Sequence, residues 1–285
     1  MVSDREKYFF DLRGYILVKQ ALSRQEVREA NACLDAIPPL EAGAWWGAVH
    51  AQCYGNKNGI NLQQIYEAGE PFERMVDHPG WIEQVKCFVG GEGTFDYKHG
   101  PLFIDENFAS IRGPGDSIGF HSGAYPWVKR CQYHFQHGTF HCGQVNVLTA
   151  LTPIGPGDGG TVVVPGSHKS NFRHPDFEKY KMRSDGASAE GVEGAVEVRM
   201  EPGDTLIFVD SIAHGSALRT NAGQRRIVVY RYGPSWGFFR HGYRPSPELL
   251  SRLTPDRRKI VWPHEELLRT PGGKEPVEHL SAAAY

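Results

Sequence analysis

The sequence predicts a mainly β fold, a sandwich or barrel with flanking helices. From about residue 93 onward, short β-rich runs alternate with turn residues every several positions. This spacing is typical of all-β sandwiches and barrels. Before that point the apolar residues follow helical patterns instead. The whole chain has 285 residues, enough to bury a full core.

The first elements are an apolar stretch over residues 9–20, interrupted by Gly14, and a helix within residues 21–37. Ser23 and Glu26 stand at capping-box spacing, which makes Ser23 the expected N-cap. The apolar positions that follow recur at intervals of three and four residues, as on one face of a helix. They are Val27, Ala30, Leu34 and Ile37.

Two further segments precede the β-rich region. Residues 40–62 are rich in Gly, Trp and Asn, and we expect an irregular segment there. The sequence of residues 62–90 predicts two or three short helices. Gly69 with Pro71, and then Pro79-Gly80, are the expected breaks, because glycine and proline punctuate helices.

The β-rich region contains eight strand-like runs. These are residues 94–105, 108–113, 117–123, 132–152, 160–168, 195–204, 205–216 and 225–233. We expect a single domain over residues 1–285, made of a mostly helical N-terminal part (1–92), a β core (93–232) and a C-terminal extension (233–285). The proline-rich extension holds at most one or two short helices that lie over the core.

Composition excludes several functional classes. The formal net charge of -2 provides no broad field for nucleic acid or an anionic membrane surface. No stretch approaches the roughly 18 apolar residues of a membrane span, and the N-terminus lacks the apolar segment of a signal peptide. Five scattered cysteines without a CxxC pair fit reduced thiols, so we expect a cytoplasmic protein.

The segment Gly-Phe-His-Ser-Gly, residues 119–123, is the first candidate site. In a strand, residues two apart share a face, so Gly123 points the same way as His121. Two histidines and a carboxylate hold non-haem Fe(II). The carboxylate commonly lies two residues after the first histidine, where this chain has Gly123. Taken alone, this segment is better explained as a surface or core histidine near a turn.

A second candidate lies at residues 202–225. An apolar strand leads to His214, and Ser216 follows it. Arg225 comes eleven residues after His214, and a hairpin would bring the two together. Arginine binds a planar carboxylate through two charge-assisted bonds. A histidine beside this arginine suits a metal-chelating keto-acid. Without other support, however, a solvated arginine on an edge strand explains the residue better.

The combined motifs resemble those of the phytanoyl-CoA dioxygenase family. The resemblance rests on three segments and extends over roughly residues 8–232. They are FFDLRGYILVKQALSRQEVREA (9–30), GDGGTVVVPGSHKSN (157–171) and EPGDTLIFVDSIAHGSALRTNAGQRR (201–226). The family implies a double-stranded β-helix, that is, a cupin-like jelly roll, which holds Fe(II) and 2-oxoglutarate.

The resemblance assigns roles to individual positions. His121 and His214 match the two metal histidines. Arg225 matches the arginine that binds the far carboxylate of 2-oxoglutarate, with Ser216 as its helper. His168, in the Pro-Gly-Ser-His turn, matches a motif at the rim of the site and is expected to be structural.

Gly123 departs from the family pattern and resembles iron halogenases, in which a small residue leaves a coordination position for a halide. Chloride or bromide would replace both the missing ligand and its charge. Three alternatives remain open at this point. A water could occupy the position, a loop carboxylate such as Asp116 or Asp158 could enter it, or the protein could have lost oxygenase activity.

A cluster of histidines at His134, His137 and His141 suggests a separate zinc site, but its spacing matches no structural zinc motif. We expect His134 and His141 to be pocket-lining or ordinary polar residues, with His137 and His141 on one strand. Gln144 is a candidate contact to the cofactor or substrate.

The sequence therefore predicts an Fe(II)/2-oxoglutarate-dependent enzyme that uses O2. It would hydroxylate, or halogenate, an unactivated C–H bond of a small molecule and release succinate. The alternative is a jelly-roll binding protein without turnover, favoured by Gly123 and opposed by the combination of His121, His214 and Arg225. The substrate itself is not predicted, because a fold does not specify one.

Overall fold

A computed structural model describes residues 1–53, 58–90, 100–122, 128–183, 187–235 and 244–262. The helices are α1 (Asp4–Arg13), α2 (Arg24–Asp35), α3 (Glu70–Glu73), α4 (Ile82–Val89), α5 (Phe177–Tyr180), α6 (Pro247–Arg252) and α7 (Pro255–Val261). The strands are β1 (Tyr15–Val18), β2 (Trp45–Trp46), β3 (Val49–Gln52), β4 (Gly59–Gln63), β5 (Leu102–Arg112), β6 (Ile118–His121), β7 (Tyr133–Gln136), β8 (Thr139–Cys142), β9 (Val145–Ala150), β10 (Thr161–Val163), β11 (Val196–Val198), β12 (Thr205–Val209), β13 (His214–Ser216) and β14 (Arg225–Pro234).

The strands form a jelly roll, as predicted. A large sheet of eight strands has the order β1-β12-β9-β14-β5-β4-β3-β2, and a small sheet of four strands has the order β11-β10-β13-β6. Strands β7 and β8 form a separate hairpin. Neighbouring strands in all three sheets pair antiparallel.

The inner face of the large sheet looks toward the small sheet. Phe208 of β12 contacts the ring of His214, with ring centroids 4.9 Å apart. Arg112 of β5 donates a hydrogen bond to Ser216 of β13 at 3.3 Å. Side chains alternate between the two faces of a strand, so every second residue from Phe208 or Arg112 also points inward.

Helices cover the outer face of the large sheet. Tyr230 of β14 donates its hydroxyl proton to the carbonyl of Phe72 in α3 at 2.5 Å. Arg226, also on β14, forms a 2.7 Å ion pair with Asp35 at the end of α2. Burial of the apolar helix faces against this side of the sheet supplies much of the core.

Helix α2 confirms the sequence prediction. Ser23 is its N-cap, and the capping box with Glu26 is present. Three of the four predicted apolar positions lie within the helix, and all four are buried; they are Val27, Ala30, Leu34 and, just beyond the helix, Ile37. The expected helical segment after residue 62 also breaks at Gly69, with Pro71 in the first turn of α3, where proline is tolerated.

One sequence expectation about the N-terminal part was wrong. Residues 40–62 are not irregular throughout, because β2, β3 and most of β4 lie there and extend the large sheet from β5. The apolar stretch over residues 9–20 is interrupted at Gly14, as expected. It consists of the end of α1, which Gly14 terminates at a φ of 82°, followed by β1.

The C-terminal extension contains α6 and α7, the one or two short helices expected there, and α7 packs against β5. Residues 263–285 lie outside the described residues. No helix within the described ranges is both long and apolar enough to cross a membrane.

Candidate active site

His121 and His214 form a cross-strand pair in the small sheet. His121 ends β6, His214 begins β13, and the two residues are directly opposite in the antiparallel register. Their ring centroids are 4.1 Å apart. A register shift between His214 and Ser216 bends the strand immediately after the pair. The structure thus brings together two histidines that are 93 positions apart in the chain (214 minus 121).

Backbone carbonyls fix the tautomer of both rings. Nδ1 of His121 lies 3.1 Å from the carbonyl oxygen of Gly119, and Nδ1 of His214 lies 2.8 Å from that of Ile212. A carbonyl oxygen only accepts, so each Nδ1 carries the proton and each Nε2 carries the lone pair. Metal-binding histidines use this arrangement, in which the second nitrogen donates to a carbonyl or carboxylate.

The electrostatic environment keeps His121 neutral. Burial lowers the pKa of His121 well below its ordinary value, and the neighbouring His214 lowers this pKa further. Asp210 acts in the opposite direction on the pKa of His121. Because a metal binds the neutral imidazole, the lone pair of His121 is available at neutral pH. The donor set therefore fits a divalent transition metal such as Fe(II).

Two arginines face each other across the large sheet near this pair. Arg225 of β14 is directly opposite Arg112 of β5, and the two residues are only 2% and 4% exposed. Arg225 donates to the carbonyl of Gly159. Arg112 donates to Ser110 Oγ at 3.2 Å and to Ser216 Oγ at 3.3 Å. Ser216 therefore connects Arg112 to His214, which lies two residues earlier on β13.

Both guanidinium groups are held in an unfavourable environment. Burial lowers the pKa of Arg112 to about 10. Burial, and then the positive charges of Arg112 and Arg219, lower the pKa of Arg225 well below its ordinary value. Among the described residues neither Arg112 nor Arg225 has a carboxylate ion pair, and Arg225 Nε is buried without a hydrogen-bond partner. A dicarboxylate such as 2-oxoglutarate fits this need.

The two loop carboxylates considered as replacement metal ligands lie on the arginine side of the site. Asp158 forms a 3.0 Å ion pair with Arg219. Asp116 accepts a hydrogen bond from the backbone of Asn58 at 3.1 Å and lies close enough to Arg112 to raise its pKa. No three His, Cys, Asp or Glu side chains group into a metal site in the part of the chain that the structure describes.

Gly123 lies outside the described residues. Gln144 is fully buried, and its amide donates to Asp105 Oδ2 at 2.9 Å. It precedes β9, whose far end, Ala150, pairs with Ile227 near Arg225. Six residues of strand correspond to about 20 Å, so the structure does not bring Gln144 into the arginine cluster.

The remaining histidines have other positions. His134 and His141 are opposite each other on the β7–β8 hairpin and are exposed, whereas His137 lies in its turn at a φ of 54° rather than on β8. They are therefore surface residues, and the expectation that His137 shares a strand with His141 was wrong. His168 is buried and its Nε2 lies 3.0 Å from the carbonyl oxygen of Asp11 in α1, a structural contact.

Sequence reasoning missed Arg112 and Asp210. Ser110 and Arg112 alternate on one strand face, which is a weak signal, because a charged residue at the end of a strand usually meets solvent. Asp210 is 1% exposed. It accepts hydrogen bonds from Asn146 at 3.1 Å and Arg130 at 3.1 Å. Its role depends on contacts between distant segments, which no local pattern reveals.

Comparison with known proteins places this geometry among oxygenases. The profile of the family described as "Phytanoyl-CoA dioxygenase (PhyH)" matches residues 10–227. The peroxisomal phytanoyl-CoA dioxygenase of Rattus norvegicus is 24% identical over 251 residues, covering 82% of this chain and 69% of the rat protein. A dioxygenase of Talaromyces verruculosus, cdmD, is 33% identical over 89 residues, covering 31% of this chain and 24% of its own.

Solved structures share the fold at low sequence identity. HygX from Streptomyces hygroscopicus, with nickel and 2-oxoglutarate bound, superposes with a TM-score of 0.68 at 19% identity, covering 87% of this chain and 94% of HygX. The non-haem α-ketoglutarate-dependent epimerase SnoN from nogalamycin biosynthesis has a TM-score of 0.54 at 16% identity, covering 81% and 80% of the two chains. These likenesses confirm the jelly-roll fold.

Proposed function

Since the chain belongs to the phytanoyl-CoA dioxygenase family, we propose that it is an Fe(II)- and 2-oxoglutarate-dependent oxygenase that hydroxylates an unactivated C–H bond of a small molecule. The observation that carries the proposal is the junction at β13. Within three residues, His214 faces His121 and Ser216 contacts Arg112. The histidine pair that would bind the metal and the arginine pair that would bind a carboxylate are therefore adjacent.

Each group has a defined task in this proposal. His121 and His214 hold Fe(II) through Nε2, because their Nδ1 protons are engaged by backbone carbonyls. Arg225 and Arg112 bind the far carboxylate of 2-oxoglutarate, with Ser216, which contacts Arg112, as their helper. When bound, Fe(II) and 2-oxoglutarate supply O2 activation coupled to oxidation of the keto-acid to succinate and CO2. The surrounding sheets exclude water from the site.

Succinate formation tests the proposal. The purified chain, supplied with Fe(II), ascorbate, O2 and 2-oxoglutarate, should release succinate. His214→Ala should reduce the rate by more than the roughly 10–100-fold typical of lost outer-shell partners. His141→Ala, a change at an exposed histidine, is the matched control and should leave the rate unchanged. Absence of both succinate release and 2-oxoglutarate binding would favour the alternative of a jelly-roll binding protein.

Halogenation is a second candidate, and Gly123 is the observation that favours it. Glycine has no side chain that could bind the metal, so chloride or bromide would supply the ligand and the negative charge that the carboxylate provides in related enzymes. Supplying either halide during turnover should then give a halogenated product. Gly123→Asp should restore a carboxylate and shift the product to the hydroxylated form. Hydroxylation alone at every halide concentration would refute this candidate.

A further inference from the structure

The inner face of the large sheet carries a row of polar side chains beside the histidines. Phe208, which contacts His214, pairs with Asn146 on β9. Asn146 pairs with Arg231 on β14, and Arg231 pairs with Glu106 on β5. Directly paired residues on neighbouring strands share a face. The row of polar residues therefore crosses three strands, β9, β14 and β5, on the side that faces His214.

A fourth strand side by side with β5 continues this polar surface. Gln63 of β4 donates to Glu106 Oε1 at 3.0 Å. Asn61, two residues earlier on the same face, pairs with Ser110, which contacts Arg112. We call Asn61, Gln63, Glu106, Asn146 and Arg231 the polar floor. It extends from the arginine pair to the neighbourhood of His214.

The polar floor is buried and internally ordered. Four of its members are at most 5% exposed and Arg231 has a 15% exposed side chain. Arg231 and Glu106 form a 3.2 Å ion pair, so the floor carries little net charge. A packed apolar face would be the ordinary choice for the inside of a sheet. Retaining five polar residues here costs stability unless their partners are supplied.

A hydrogen bond orients the amide of Asn146. The Nδ2 of Asn146 donates to Asp210 Oδ1 at 3.1 Å. Because a carboxylate only accepts, this contact fixes which end of the amide is the carbonyl oxygen. That oxygen, Asn146 Oδ1, is buried without a hydrogen-bond partner in the described structure, as is Asn61 Oδ1. Each such buried acceptor destabilises the ligand-free protein until a donor reaches it.

We propose that the polar floor is the substrate subsite and that the substrate is a polyhydroxylated small molecule, such as a glycoside or cyclitol. This inference rests on the oxygenase function proposed above. Hydroxyl groups would donate to Asn61 and Asn146, and a ligand of this class needs no formal charge. An acyl chain would instead leave the side-chain oxygens of Asn61 and Asn146 desolvated and without a donor.

Binding to the protein loaded with Mn(II) and 2-oxoglutarate tests the proposal without turnover. The probes are methyl glucoside, myo-inositol and octanoyl-CoA, measured by calorimetry. At least one hydroxylated probe should bind tenfold more tightly than octanoyl-CoA, and should also accelerate succinate release by the iron enzyme. Tighter binding of octanoyl-CoA, or no binding of either hydroxylated probe, would overturn the inference.

Variants separate a direct contact from a general effect on folding. Asn61→Leu removes one acceptor at similar volume and should weaken the hydroxylated probe by about 3- to 10-fold. Asn31→Leu, which changes an amide on α2 outside the barrel, should leave the affinity for the hydroxylated probe unchanged. Asn146→Leu gives a second, independent measurement. If both Asn61→Leu and Asn146→Leu bind the hydroxylated probe as tightly as the unmodified protein does, the assignment is refuted. Succinate release without any probe reports separately on the oxygenase function.

Discussion

At the scale of single residues, the arginine pair is the least expected feature. Like charges directly opposite on neighbouring strands are destabilising, and burial increases the penalty. Arg112 and Arg225 nevertheless face each other at 4% and 2% exposure. The arrangement is understandable if a dicarboxylate completes it. The free protein then tolerates repulsion that the bound ligand relieves.

Replacing Arg112 with methionine tests this interpretation. Arg112→Met removes a charge-assisted hydrogen bond to the ligand, so KM for 2-oxoglutarate should rise about 10- to 100-fold. The Tm of the ligand-free protein should not fall, because the repulsion with Arg225 is lost as well. Arg226→Met, on the outer face of the neighbouring strand β14, is the control. It should lower Tm through its lost ion pair with Asp35 and leave KM unchanged.

His168 should make stability depend on pH. Burial lowers the pKa of His168 from 6.5 to about 4. The fold thus favours the neutral ring, and its contribution is complete above pH 6.5 and is lost as pH falls toward 4. The shift corresponds to about 3 kcal/mol. Urea titrations between pH 7 and 4 should show this loss.

His168→Asn should flatten the pH profile in that window. Glu26 affects stability in a different pH range. Its burial would raise its pKa, but hydrogen bonds from Ser23 and His78 lower that pKa to about 2. Its contribution is present above 4.5 and is lost only as pH falls toward 2. An unchanged slope between pH 6.5 and 4 in His168→Asn would mean that other groups control acid unfolding.

At the scale of elements, the junction of α1 and β1 depends on Gly14. Its φ of 82° is costly for other residues, and an added Cβ would lie 2.6 Å from His168 Nδ1. Gly14→Ala should therefore destabilise the protein by at least about 1–3 kcal/mol in urea unfolding. Gly43→Ala is a matched control, with a φ of 92° and open space around the Cβ position. Equal losses in the two variants would exclude a role for the His168 contact.

Local patterns predicted the elements that local forces determine. The capping box at Ser23 and the apolar stripe of α2 are contained within one segment, and both are present in the structure. Strands β3 and β4 were missed, because β4 pairs with β5, about fifty residues later, and β3 pairs in turn with β4. Short strands at the edge of a sheet carry little periodicity of their own. Their existence depends on that distant partner.

At the scale of the molecule, the site is assembled from both sheets. The sequence indicated His214, Ser216 and Arg225 through their short spacing and family motifs. Arg112 and the polar floor could not be predicted in this way, because they acquire their positions from register across several strands. The small sheet supplies the histidines and the large sheet supplies the arginines and the floor. The site is therefore a property of the closed jelly roll.

A ligand that contacts both sheets should stabilise the whole chain. Mn(II) with 2-oxoglutarate should raise Tm by more than the sum of their separate effects, since the keto-acid would bind the metal and the arginines together. At a concentration 100 times Kd, binding contributes about 2.7 kcal/mol to stability. Differential scanning calorimetry checks this, and EDTA should reverse it. In His214→Ala, Mn(II) should add nothing to the effect of 2-oxoglutarate alone.

The arginine pair also bears on how a spent co-substrate would leave. Arg112 and Arg225 would bind the carboxylate of 2-oxoglutarate that lies far from the 2-oxo group. Oxidation does not alter this carboxylate, so succinate retains it. Recognition at this end cannot distinguish fresh keto-acid from its product. Discrimination must then arise at the histidine end, where loss of the 2-oxo group weakens chelation. Turnover would be set by competition between the two dicarboxylates, so the cell's ratio of 2-oxoglutarate to succinate would regulate the protein directly.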